Sequence, residues 1–276
     1  MNYIIWDPNS IIVNLGFFAL RWYSLMFAIG FGLSYLMLLK LFARDGVPQD
    51  KLDKLVIYVV LATIIGARLG HCLFYDFEYY SRHISEIFLP FTFEPHFQFV
   101  GFMGLASHGA IIGILGAVML YSYLQKIPLF WLLDKLALVS PLVCGLIRIG
   151  NLLNSEIVGT PTTAPWAFIF TQLDGIPRHP SQLYEALAYL SVFVFINILY
   201  RKSHKQQGFI FGVFLTLMFL ARFTVEFFKE DQSAFEAGML INMGQVLSIP
   251  FIIIGLILIM MKRKTRFTSN SPDLAA

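Results

Sequence analysis

Residues 130–159 read FWLLDKLALVSPLVCGLIRIGNLLNSEIVG. The first two thirds form an apolar run of the length that crosses a bilayer, roughly 20 residues. From Arg148 onward the run places a fixed cation, two amides, a hydroxyl and a carboxylate within about three helical turns. Such groups are expensive at membrane depth, so they are there to pair with one another, to hold a polar ligand or to do chemistry. The stretch predicts a spanning helix with a polar site at its end.

The rest of the chain agrees with a lipid environment. It is 57% hydrophobic and 13% charged, with a mean hydropathy of +0.70. Soluble domains carry about 25% charged residues. The 28 Phe and 12 Tyr suit packing between helices and the headgroup level. A net charge of +3, with its cations in short polar loops, argues for topology and against nucleic-acid binding. Cys72 and Cys144 both fall in apolar runs and read as buried thiols rather than a disulfide framework. Met1–Ser10 lacks the basic start of a cleavable signal peptide.

Outward from the quoted stretch, about seven candidate spans appear, near 16–42, 53–75, 101–124, 130–151, 181–200, 208–228 and 241–261. The expected fold is an all-α polytopic membrane protein. Residues 1–262 form a single transmembrane domain, followed by a tail over 263–276. The loops alternate in basic content. One set holds Lys40, Arg44, Lys51, Lys54, Lys126, Arg201, Lys202, Lys205, Lys262, Arg263, Lys264 and Arg266; the other only Arg82, Arg178 and Lys229. The positive-inside rule then puts the N-terminus outside and the C-terminal tail in the cytoplasm. On the outer side, the aromatic-rich residues 76–100 suit interfacial arm segments. Residues 155–180, with four prolines, suit a small irregular periplasmic head.

This topology gives each intramembrane polar group a depth. Tyr23, Arg68, Ser107 with His108, Arg148 with Asn151, Ser181 through Glu185, Arg222 with Glu226, and Asn242 with Gln245 all fall in the outer half. Scattered structural polar residues would not segregate so, and one outward-facing polar cavity follows. Arg148, Asn151 and Ser155 share a helical face, as do Arg222, Glu226 and Lys229. Gly109 and Gly113, four apart, allow close backbone approach by a neighbouring helix or a ligand.

Either arginine alone also suits snorkelling to headgroups or a carboxylate pair. Two guanidiniums at matching depth suit a phosphate, which a planar fork binds through paired hydrogen bonds. Glu156 and Glu226 read as partners that orient the arginines, with a general-base role as the alternative. Arg68 reads as structural. No metal site, nucleotide-binding glycine loop or nucleophile elbow is evident. A solute transporter would carry polar residues along a full path or near the midplane in repeated halves, a pattern this sequence lacks.

Several pieces together resemble the prolipoprotein diacylglyceryl transferase family. They are Ile147, Arg148, Gly150, Asn151, Leu152, Asn154, Glu156 and Gly159, with Asp7-Pro8, Arg21-Trp22-Tyr23, Gly66-Ala67-Arg68-Leu69-Gly70 and His108-Gly109. Further along come His179 through Glu185, Arg222-Phe223 with Glu226-Phe227-Phe228, and Met243-Gly244-Gln245 with Leu247-Ser248. The chain departs from the family pattern at Ser24, Ala110, Ile147, Leu152, Met218 and Lys229. The resemblance implies a bacterial inner-membrane enzyme that transfers the diacylglyceryl group of phosphatidylglycerol to the lipobox cysteine of a prolipoprotein signal peptide. It implies His108, Arg148 and Arg222 as catalytic residues. Tyr23, Asn151, Asn154, Glu156, Gly159, Gln182 and Glu226 would join Arg148 in binding substrate. Membrane lipids are the expected surroundings, with neither cofactor nor metal. A related lipid-phosphate transferase, or a binder of lipoprotein precursors without activity, is the alternative within the same site chemistry.

Overall fold

A computed structural model describes residues 3–16, 19–89, 91–92, 96–99, 104, 106–202, 206–230 and 241–261. Its long elements are helices, as expected of a chain in lipid, where every backbone polar group must be satisfied within its own segment. They are α1 (Trp22–Arg44), α2 (Gln49–Phe74), two short helices α3 (Phe77–Arg82) and α4 (Ser85–Phe88), α5 (Ser107–Leu124), α6 (Leu129–Leu153), α7 (Ser181–Lys202), α8 (Phe209–Glu226) and α9 (Met243–Met260). Six are long and apolar enough to cross a membrane; the seventh expected span, α5, is apolar over the shorter stretch His108–Leu124. This is a multi-pass, all-α membrane architecture. Its helices bury little of themselves. On α2, Ile57, Leu61, Ile64 and Ile65 form one stripe, each at least 52% exposed. Such a face needs hydrocarbon as its solvent.

The first span starts later than its composition suggests. The apolar residues ahead of Trp22 form a hairpin, β2 (Ile11–Asn14) against β3 (Ala19–Arg21). Upstream, β1 (Ile4–Trp6) pairs in parallel with β6 (Phe168–Phe170), which pairs antiparallel with β7 (Pro177–Arg178). The 155–180 region is thus short strands and turns. The 76–100 region holds α3, α4 and a two-residue ladder of β4 (Phe91–Thr92) with β5 (Gln98–Phe99). The expected tail over 263–276 lies outside the described residues.

Two compact units emerge, one from residues up to Leu41 and from Leu133 onward, the other from Phe42–Leu132. In the first, α6, α7 and α8 share a core of Ala137, Leu138, Tyr189, Ile196, Ile210 and Val213. One end of α8 is fixed by Asp134, whose carboxylate accepts the backbone N–H groups of Gly208 at 2.7 Å and Phe211 at 2.8 Å. These are helix N-terminal donors that would otherwise lack partners. Nearby, buried Lys135 donates to the Tyr200 hydroxyl. α9 opens with a capping box in which Asn242 and Gln245 satisfy each other's backbone N–H groups.

In the second unit α2 crosses α5 on glycine. A Cβ on Gly66 would sit 2.5 Å from the Gly109 carbonyl oxygen, and one on Gly113 2.5 Å from the Ala62 oxygen. Small residues let the two backbones touch, the packing that holds helices together where lipid removes the hydrophobic drive. Arg68, at the end of α2, donates from Nε to the Ile87 carbonyl at 3.1 Å and from Nη2 to the Glu86 carbonyl, and lies over the Tyr80 ring. It ties α3 and α4 to the helix, matching its structural reading.

Candidate active site

The first unit gathers nine of the ten expected site residues. They stand on the start of α1, the end of α6 and the loop after it, the start of α7 and the end of α8. Because these helices alternate in direction, those positions share one end of the unit.

Arg148 is the centre. Its Nε lies 2.6 Å from Glu185 Oε2, and its Nη1 donates to Asn151 Oδ1 at 3.1 Å. Nη2 makes no hydrogen bond among the described residues. Asn151 passes the contact on, donating from Nδ2 to Glu156 Oε2 at 3.1 Å, while Asn154 Nδ2 donates to Glu156 Oε1 at 3.1 Å. Gln182, wholly buried, donates from Nε2 to the Glu156 carbonyl at 2.6 Å; its Oε1 and Asn154 Oδ1 are enclosed acceptors without a donor among the described residues. Beside it, Ser181 Oγ donates to the Ile157 carbonyl at 2.8 Å. The turn after α6 is thus stitched to the start of α7. Ser155 and Ile157 there adopt positive φ, 54° and 58°. Neither residue type favours that region, and the stitching holds them in it.

Tyr23 packs on the other side. A Cβ on Gly150 would stand 3.1 Å from Tyr23 Cα and Cδ2, so the absence of a side chain there admits the ring. The phenol lies in the fields of Glu156 and Arg148. Gly159 serves packing as well. Its N–H donates to His179 O at 3.0 Å and its carbonyl accepts from Arg178 Nη1 at 3.1 Å. A Cβ would come within 2.5 Å of the His179 and Phe228 oxygens.

Glu226 and Glu156 do not grip the arginines directly, contrary to the expectation. Glu226, 4% exposed, pairs with Lys229 Nζ at 3.3 Å, and Lys229 also reaches Glu185 Oε1 at 3.2 Å. Glu156 is exposed and meets Arg148 through the Asn151 amide. Glu185, at 0% exposure, is the carboxylate that aligns Arg148, and the Tyr189 hydroxyl donates to its Oε1 at 3.2 Å. Arg222 is half-buried, lies in the field of the Tyr189 hydroxyl, and makes no hydrogen bond or ion pair among the described residues. Glu185 and Lys229 stand among the polar residues already placed at the outer ends of their helices, but neither had a role among the expected site residues. Glu185 is the only acid in α7, the signal that marks it as an ionic partner.

His108 belongs to the other unit. It is exposed, the second residue of α5. Directly after it, Gly109 abuts Gly66 and Gly70, which fixes the backbone under the imidazole.

The head supports the site from outside the spans. Arg178 donates from Nε to Asp174 Oδ2 at 3.0 Å and pairs with Glu230 at 3.1 Å. The Arg178 guanidinium holds the Asp174 carboxyl below the ordinary carboxylate range. Burial pushes the His179 imidazole down, and its Nδ1 lies 3.1 Å from the Tyr184 hydroxyl. The Trp6 indole N–H donates to the Leu152 carbonyl at 2.9 Å, joining the first strand to the end of α6. Chemically, the arrangement offers one aligned guanidinium with donors to spare, a second without a partner among the described residues, and amides around them. That is a set for an anionic, hydroxyl-bearing headgroup.

Comparison with known proteins shows the family. The family model described as prolipoprotein diacylglyceryl transferase matches residues 10–261. A phosphatidylglycerol–prolipoprotein diacylglyceryl transferase of Tolumonas auensis is 42% identical over 265 residues, covering 95% of this chain and 99% of the relative. One of the same name from Bacteroides fragilis is 43% identical over 257 residues, covering 92% and 93%. Another from Chloroherpeton thalassium is 43% identical over 261 residues, covering 94% of each.

Proposed function

The chain belongs to the prolipoprotein diacylglyceryl transferase family, and from that premise we propose the chemistry its residues perform. The chain transfers the diacylglyceryl group of phosphatidylglycerol to the lipobox cysteine of a prolipoprotein signal peptide, the first step of lipoprotein maturation. The cysteine sulfur bonds to the glyceryl carbon that carries the phosphate, the carbon–oxygen bond there breaks, and glycerol phosphate leaves with the electron pair. The thiol proton must go to a base, because the thiolate is the nucleophile.

The observation that carries this reading is Arg148, a guanidinium at the end of a spanning helix. It is held at Nε by Glu185 and at Nη1 by Asn151, and Nη2 makes no hydrogen bond among the described residues. Arg148 and Arg222 stabilise charge on the leaving phosphate. Tyr23, Asn151, Asn154 and Gln182 orient the headgroup, and Glu156 and Glu226 hold its surroundings. Gly159 acts by close packing beneath them. His108 takes the thiol proton. The site faces the outer leaflet of the bacterial inner membrane, with the N-terminus outside, the C-terminus in the cytoplasm and the 76–100 arm at the interface. The alternation of basic loops supports that orientation.

The test is transfer of labelled diacylglycerol from phosphatidylglycerol to a lipobox peptide by the purified chain. Thioether formation is expected, with His108→Gln reducing turnover on the order of a hundredfold or more. Near-full transfer by His108→Gln would overturn the base assignment. Lipid binding without a thioether product in the parent chain would favour a binder of precursors over a transferase.

A further inference from the structure

Glu185 faces two cations at once, and the second has no part in the reaction described so far. Its Oε2 meets Arg148 Nε at 2.6 Å; its Oε1 meets Lys229 Nζ at 3.2 Å and accepts from the Tyr189 hydroxyl at 3.2 Å. Lys229 is 6% exposed and also pairs with Glu226 at 3.3 Å. A Cβ on Gly244 would stand 2.5 Å from Glu226 Cδ, so α9 closes over that carboxylate. The groups facing this cluster are Cys144 and Arg148 from α6, Glu185 and Tyr189 from α7, Arg222 and Glu226 from α8, and Lys229 just beyond it.

A buried carboxylate paired with Arg148 alone would cancel much of the charge that the arginine offers to a phosphate. Desolvated charges interact strongly, and an unbalanced one is costly. Lys229 supplies the balance. With Arg148, Lys229 and Arg222 set against Glu185 and Glu226, the buried group carries one net positive charge, and a phosphodiester carries one negative.

We propose that Lys229 and Glu185 are positioning residues for the lipid phosphate. Glu185 fixes the Arg148 fork, and Lys229 neutralises Glu185 and Glu226 so that the fork keeps its net charge for the headgroup. This rests on the transferase reading above.

The test measures kcat and KM for phosphatidylglycerol at saturating lipobox peptide, with displacement of a fluorescent phosphatidylglycerol read in parallel. Lys229→Met should raise KM and weaken lipid binding by about tenfold or more, with kcat changed less, since the lost term acts on the bound phosphate before and during reaction. Lys229→Arg should stay within about threefold of the parent in both. Lys229→Gln removes the charge while keeping a hydrogen-bonding amide and should lose about as much affinity as Lys229→Met. Should Lys229→Met fail to fold, Lys229→Gln decides alone: a KM raised about tenfold or more supports the proposal, and a near-parental KM overturns it. An unchanged KM in folded Lys229→Met, or a loss confined to kcat, also overturns it. A parent chain that binds lipid but forms no thioether defeats the transferase reading, while the displacement assay still judges the charge balance.

Discussion

Replacing Gly109 by alanine should pry α2 from α5. The added Cβ would overlap the Gly66 carbonyl oxygen and stand 2.7 Å from Gly70 Cα and 3.0 Å from Gly70 N. Carbon atoms rest at about 3.5–4.0 Å, so the shortfall against Gly70 Cα is roughly 0.8–1.3 Å. The obstacles are backbone atoms of the facing helix, so no side chain can swing away. Relief requires the helices to part by about 1 Å over a crossing that also seats Gly113 against Ala62 and Gly66. Overpacking of this kind costs about 2–3 kcal/mol. Alanine's better helix propensity returns up to about 1 kcal/mol. The net, about 1–2 kcal/mol, is a factor of roughly 5–30 in the equilibrium between closed and parted helices.

Cys72 reports that opening, being 1% exposed and two residues beyond Gly70 on α2. Its maleimide labelling, resolved from Cys144 by peptide mass, should accelerate about 5–30-fold in Gly109→Ala. Gly116→Ala is the matched control: on the same helix, a Cβ there meets nothing within 4 Å. It should label no faster than the parent and gain slightly in stability. Equal labelling of Gly109→Ala and parent, or equal acceleration by both variants, would refute the glycine-contact account. Transfer activity should fall with Gly109→Ala as well, since His108 stands on the backbone that must move.

Two further outcomes follow from the site and the head. Arg148→Lys keeps the charge but cannot engage Glu185 and Asn151 from one rigid plane while leaving a donor free, so kcat/KM should drop at least about tenfold; parental kinetics would sink the fork. Asp174 carries a carboxyl held below its ordinary range by Arg178, so the pair stabilises the head above the ordinary aspartate pKa. That contribution drains away as pH falls through the depressed value, below about pH 4. Hydrogen-exchange protection of residues 160–178, taken against the intrinsic rate at each pH, should therefore fall at the acid end in the parent. In Asp174→Asn the protection should be low already at neutral pH and flatter with acid.

The spanning helices were legible because lipid enforces them: a long apolar run has no other way to satisfy its backbone. At Gly109 and Gly113 a close approach was legible from two small residues four apart, and of the helix or ligand that spacing admits, α2 is what packs there. The start of the first span was not legible. Ile11–Asn14 and Ala19–Arg21 are rich in apolar residues like the helix they precede, and composition alone cannot separate a hairpin from a helical turn. Neither was the pairing of Ile4–Trp6 with Phe168–Phe170, which joins segments more than 160 residues apart. The partner of Arg148 was hidden for the same reason. Helical spacing offered Asn151 and Ser155 on its own face, whereas Glu185 arrives from α7 through the relative rotation of two helices.

What distinguishes a site from a joint in this unit is whether its polar groups are used up. Buried charge stands near both ends of α6. At the Asp134 end, the carboxylate accepts two backbone N–H groups at the head of α8. Those donors would be orphaned in lipid without it, so the cluster is explained by folding alone. At the Arg148 end the account does not close. Nη2 of Arg148 and the whole of Arg222 lack partners among the described residues, and Gln182 Oε1 and Asn154 Oδ1 are enclosed without donors. Leaving buried polar groups unpaired costs about 1–3 kcal/mol each. A fold that already supplies Glu185, Glu226 and Lys229 in reach could have closed those bonds internally. The open positions include cationic donors and amide acceptors, beside the Ser155 hydroxyl, which supports the proposal of a ligand that carries an anion and hydroxyl donors together. Phosphatidylglycerol carries both in one headgroup, and a simple phosphate carries only the first. Glycerol phosphate should therefore compete with lipid better than inorganic phosphate does, because only the former answers Gln182 and Asn154 as well as Arg148.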